Sequence, residues 1–169
     1  MIENSTPTIL DSGDRTEFET GAVRDMREEK GRCDLMPLDV VGGFYEHLCE
    51  TKHTEHIDGV SHSAARVFVC MSYFQNTGEV FYLYDALQFS KTYEEWETMF
   101  LEVAKHFEEG CKKYGEDNWR KGIPVKCYID SATRHYLKFL RGDKDEPHDR
   151  AFVWNILCCI WTVKHKDSM

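Results

Sequence analysis

A chain of 169 residues with 41% hydrophobic content is long enough to bury one substantial core and too apolar to be a disordered segment. Its formal net charge of −9 excludes a protein that grips a nucleic-acid polymer through a positive surface field, while leaving room for a local anion site. No apolar run of about 18 residues and no signal-peptide pattern occurs, and seven cysteines include no CxxC pair, so a soluble cytoplasmic protein without a membrane or disulfide framework is expected.

Residues 1–20, rich in Ser, Thr, Asp and Glu, read as a flexible tail, and residues 21–169 as a single domain. The stretch 21–37 is dense in both charges and closes on Pro37, which suits a functional loop or a short helix. Leu38, Val41, Tyr45 and Leu48 recur at helical spacing and predict a first helix over 38–50, weakened by Gly42 and Gly43. A polar connector over 51–63 carries His53, His56 and His62, with His47 and Cys49 just upstream. These are zinc-ligand types at a spacing that matches no defined site. The runs "RVFVCMSYFQ" and "EVFYLYDAL" are rich in β-branched and aromatic residues and flank Asn76, Thr77 and Gly78, so an inserted β-hairpin is expected over about 66–87.

Thr92 and Glu95 read as a capping box for a long amphipathic helix over 93–114, with Trp96, Met99, Phe100, Val103, Phe107 and Cys111 on its apolar face and Gly115 at its end. A loop over 115–124 leads to a helix over about 126–141, with Ile129, Ala132, Tyr136 and Phe139 inward and Gly142 as its cap. Pro147 then opens "HDRAFVWNILCCIWTV", apolar nearly all round, which predicts a helix buried centrally in a bundle or across a subunit interface. The expected fold is mainly α, a four-helix bundle with a hairpin insertion.

Between Gly110 and Arg141 eight basic residues face only three acidic ones, a segregation that points to an anion site or, more plainly, to solvated helix ends. Asp130, Arg134, Lys138 and Arg141 share one helical face, with Ser131 and His135 beside it. Arginine offers a planar fork of donors to phosphate oxygens and lysine a point charge. Glu108, with Asp145 or Glu146, supplies the hard oxygens that magnesium takes; equally, Asp145 or Glu146 caps the last helix and Glu108 is solvated. Asn155 interrupts an apolar run and requires hydrogen-bond partners: a base or sugar beside His148, a second copy, or a backbone group. Trp119 and Tyr114 offer faces on which a purine stacks, or are core.

The motifs "GAVRDMREEKGRCDLMPL", "GCKKYGEDNWRKGIP", "DSATRHYLKFLRGDKDEPH" and "AFVWN" together resemble the successive motifs of the phage dATP/dGTP diphosphohydrolase family, a MazG-like branch of the all-α nucleoside triphosphate pyrophosphatases. The resemblance implies a MazG-like bundle, purine nucleotide chemistry and a phage origin. Against that pattern, residues 45–97 read as an insertion, and the ExxE and ExxD pairs of MazG-like enzymes give way to Glu108, Glu109, Asp145 and Glu146 at other spacings.

The leading expectation is hydrolysis of a purine (d)NTP to (d)NMP and pyrophosphate, with Mg2+ held by Glu108, Asp145 and Glu146 and with Glu108 and His135 in catalysis. Arg24, Arg32, Lys113, Lys121, Arg134 and Lys138 are then the cations of the substrate site, and Tyr114, Asn118, Trp119, His148 and Asn155 the contacts to the nucleoside. The alternative is a non-catalytic sponge that sequesters a cyclic nucleotide or ADP-ribose-type immune signal. A homo-oligomer is expected in either case.

Overall fold

The computed structural model describes residues 15–25, 30–49, 63–90 and 95–166, and the chain divides into two compact units at Lys30/Gly31. In the first unit, β1 (Arg15–Glu17) and β2 (Val23–Asp25) pair antiparallel, with Thr16 opposite Arg24. The turn between them is closed by Phe18 N–H to Ala22 O at 2.9 Å. β1 thus occupies positions that composition alone assigns to a tail; residues 1–14 lie outside the described part.

The second unit is helical, as expected. After a 3-10 turn at Cys33–Leu35 come α1 (Leu38–Cys49), α2 (Ser63–Thr77), α3 (Phe81–Ser90), α4 (Trp96–Tyr114), a 3-10 turn at Asn118–Lys121, α5 (Val125–Arg141) and α6 (His148–His165). No described helix is long and apolar enough to cross a membrane. The hairpin expected over 66–87 is not there: the segment forms α2 and α3, packed against each other. Its residues have strand-like composition but bury at helical steps, Ala64, Val67, Cys70, Met71 and Phe74, and burial at the right period outweighs propensity. The Asn-Thr-Gly punctuation ends α2 instead of turning a hairpin, with Gly78 N–H bonded to Phe74 O at 2.8 Å and the Thr77 hydroxyl to Tyr73 O.

The helix ends read from glycine and proline hold. Gly115 donates to Cys111 O, Gly142 adopts φ 83 and donates to the last carbonyls of α5, and Pro147 precedes α6. Glu95 precedes α4 without a side-chain capping bond, and Thr92 lies outside the described residues. α6 is the centre of the unit, packing on α5, α4, α3 and α1. Phe152, Val153, Ile156, Leu157 and Ile160 are wholly buried, each contributing about 1.5–3 kcal/mol relative to exposure. Within this run the Asn155 amide donates to Ala151 O at 2.8 Å, so its partner is a backbone group of its own helix.

Candidate functional site

The loop from Gly142 to Pro147 reverses the chain at the end of α5 and sets the start of α6 against it, so residues thirteen apart meet. His148, the first residue of α6, is 2% exposed, and its Nε2 lies 2.8 Å from Asp145 Oδ1. The other oxygen of Asp145 accepts Lys138 Nζ at 2.8 Å. Lys138 first, and His148 second, hold the Asp145 carboxyl well below the usual carboxylate range. A carboxylate only accepts, so the proton of His148 sits on Nε2, and in the neutral ring the lone pair is on Nδ1. That Nδ1 faces His135 Nδ1 at 3.0 Å, while Glu146 Oε1 stands 3.4 Å from His148 Nδ1 and 3.5 Å from His135 Nδ1. Burial lowers the pKa of His135, an effect that Glu146 opposes.

α4 adds a second layer that sequence reading missed. The His106 imidazole is pushed down to about 4 by burial and then by the Arg150 guanidinium, with Glu109 and Glu146 opposing, and its buried Nδ1 has no hydrogen-bond partner among the described residues. Arg150, 7% exposed in α6, donates to Glu109 Oε2 at 2.7 Å. The signal available was a histidine and an arginine placed among apolar positions that the hydrophobic stripes of α4 and α6 absorb.

Next to this polar array, the 3-10 turn at 118–121 folds against the end of α4 and encloses a cavity of about 350 Å³, lined by Leu35, Phe107, Cys111, Tyr114, Asp117, Asn118, Trp119 and Trp154. Trp119 is buried, edge-on to Phe107 at 5.4 Å and to Trp161 at 4.9 Å, and its carbonyl accepts the Tyr128 hydroxyl at 3.0 Å. The indole N–H groups of Trp119 and Trp154 are buried without hydrogen-bond partners among the described residues. Asp117 Oδ1 is ion-paired with Arg120 Nε at 3.4 Å. A cavity walled by apolar and aromatic side chains suits a flat ring. The Trp154 ring also lies 5.3 Å from that of His106, so the cavity wall abuts the imidazoles.

Residues 92–169 match the family model described as dATP/dGTP diphosphohydrolase, N-terminal. Over that segment the chain is similar to the dATP/dGTP diphosphohydrolase family. No curated protein and no solved structure matches the chain. The matched segment spans α4 to α6, and so contains the imidazole cluster and every cavity residue named above except Leu35. The comparisons give no support to the sequestering alternative.

The expected site residues divide between places. Tyr114, Asn118 and Trp119 line the cavity; His135, Lys138, Asp145, Glu146 and His148 form the cluster. Arg134 is paired with Asp130 and lines, with Leu137, Lys138 and Arg141, a separate open cleft of about 420 Å³. Lys113 is exposed, its ammonium 4.9 Å over the ring of Tyr114, and Lys121 is exposed at the end of the 118–121 turn. Neither lines the aromatic cavity or the Arg134 cleft. Arg32 is held by both oxygens of Asp34, at 2.8 and 2.7 Å, and by Glu116 at 2.5 Å, partners that raise its pKa. Arg24 lies exposed on β2 of the first unit. Asn155 lines neither the cavity nor the cleft.

The three carboxylates expected to hold magnesium do not come together. Glu108 is buried, its Oε2 accepting the Gly31 N–H at 2.8 Å and its Oε1 lying 3.1 Å from Lys112 Nζ. Among the described residues the groups with metal-binding spacing are His135, Glu146 and His148, and Asp143, Asp145 and His148; Glu108 is in neither. Magnesium demands oxygen ligands, and a set with two imidazole nitrogens does not match that preference. His47, from the upstream group of zinc-ligand types, is buried against Asp85 at 2.7 Å, and the connector histidines lie outside the described residues.

Proposed function

We propose that the protein hydrolyses a purine deoxynucleoside triphosphate to the monophosphate and pyrophosphate. The observation that carries this reading is the aromatic cavity of Trp119 and Trp154, set beside the imidazole and carboxylate cluster within a segment similar to dATP/dGTP diphosphohydrolases. The base enters the cavity and packs against the aromatic walls. The phosphates extend past His106 toward His135, Glu146 and His148, which hold the attacking water. The water oxygen bonds to the α-phosphorus, the bond from that phosphorus to the bridging oxygen breaks, and pyrophosphate leaves. The proton released passes to the basic groups around the water.

Purified protein incubated with each of the four dNTPs across a panel of divalent ions tests this. Monophosphate and pyrophosphate in equal amounts from dATP or dGTP, with little from the pyrimidines, is expected. Trp119→Phe, which shrinks the aromatic wall the base packs against, raises KM about tenfold. Release of orthophosphate with the diphosphate, or no product from either purine, refutes the reading.

A further inference from the structure

We infer that His135, Glu146 and His148 form a binding site for a single divalent transition-metal ion of the zinc or cobalt kind. The three candidate ligand atoms are the two Nδ1 atoms and Glu146 Oε1, separated by 3.0, 3.4 and 3.5 Å. A tetrahedral ion with bonds of about 2.0–2.2 Å to nitrogen and oxygen sets its ligands about 3.3–3.5 Å apart, so the triangle already has close to the required edges. Two imidazoles and one carboxylate are a borderline donor set, which zinc and its neighbours accept more readily than magnesium does.

A second observation comes from the far side of the ring. A metal-bound histidine commonly donates its other N–H to a carboxylate, which fixes the tautomer and aims the lone pair. His148 does this to Asp145, whose remaining oxygen is held by Lys138, and the arrangement leaves Nδ1 facing the other two ligands. The alternative group of Asp143, Asp145 and His148 is less available, because Arg141 pairs with both oxygens of Asp143 and Lys138 with Asp145. Glu146 is 46% exposed at its side chain, so the triangle opens to solvent on one side. That leaves a fourth position for water, as sites that activate water require.

The inference stands apart from the hydrolase reading, and its test uses no nucleotide. The full chain, stripped with a chelator, is titrated with zinc, cobalt and magnesium chloride, and metal content is measured after dialysis. One zinc per chain, a tetrahedral cobalt spectrum and no displacement by millimolar magnesium are expected. Glu146→Gln and His135→Gln lower zinc affinity at least ~100-fold, and Asp145→Asn about 10–100-fold through His148. Circular dichroism confirms that each variant is folded, and the exposed Glu146 position keeps the test decisive if a variant at buried His148 fails to fold. No stoichiometric zinc, or zinc binding unchanged in both Glu146→Gln and His135→Gln, overturns the site and assigns any bound ion to other histidines or cysteines.

Discussion

Replacing Glu108 distinguishes a carboxylate that holds the fold from one that serves the chemistry. Its Oε2 accepts the backbone N–H of Gly31, 77 residues away, and the side chain is almost wholly buried. Glu108→Ala removes a charge-assisted hydrogen bond and leaves that N–H without its acceptor, a loss of about 2–3 kcal/mol. For a unit of this size that corresponds to a fall in Tm of roughly 6–12 °C. Glu108→Gln retains an oxygen at the same reach and loses about 1 kcal/mol. Urea denaturation followed by circular dichroism reads both as a lowered midpoint at unchanged slope. Zinc affinity per folded chain stays at the parent value in each variant. A Glu108→Ala protein as stable as the parent but unable to bind metal would place this carboxylate at the site and refute the structural assignment.

Two further outcomes follow from burial and backbone geometry. His106 titrates near 4 in the folded chain against 6.5 ordinarily, among Arg150, Glu109, His135 and Glu146. Between those values the unfolded chain binds the proton and the native one does not, so this contribution is fully present above about pH 6.5 and is lost as pH falls toward 4. Urea midpoints at pH 7 and 4.5 should show about 2–3 kcal/mol less acid destabilisation in His106→Asn than in the parent, and equal losses would locate the acid sensitivity elsewhere. Gly31 and Gly142 both have φ 83, but a Cβ on Gly142 meets nothing within 4 Å, whereas one on Gly31 meets Lys105 N at 3.0 Å and the Ala104 backbone at 3.1 Å. Gly142→Ala should cost about 1–2 kcal/mol and Gly31→Ala about 1–3 kcal/mol more, and a reversed order in Tm would contradict the close approach of residue 31 to α4.

The ends of α4, α5 and α6 were legible because Gly115, Gly142 and Pro147 act locally, and α6 announced its central position by lacking a polar face. The strand reading of 66–87 weighed residue type over period; Val67, Cys70 and Phe74, at three- and four-residue steps, carried the right answer. Charge counting found the basic segment but not its partners. Lys138 meets Asp145 and Arg141 meets Asp143 only because the loop after α5 turns back, and Arg32 meets Glu116 across 84 residues. His135 and His148 were each singled out, yet their apposition depends on that same turn, which a one-dimensional pattern does not contain. The bond from Gly31 to Glu108 joins segments that no periodicity relates.

That bond bears on where the family boundary at residue 92 falls. Gly31 answers a buried anion of α4, Arg32 N–H reaches Ala104 O at 2.9 Å, and Leu35 closes one side of the aromatic cavity. A polypeptide cut to start at 92 would retain the matched segment yet uncover the flank of α4 and the faces of α6 that α1 and α3 shield. The matched segment and the cooperative fold therefore have different borders in this chain, and expression trials should respect the second.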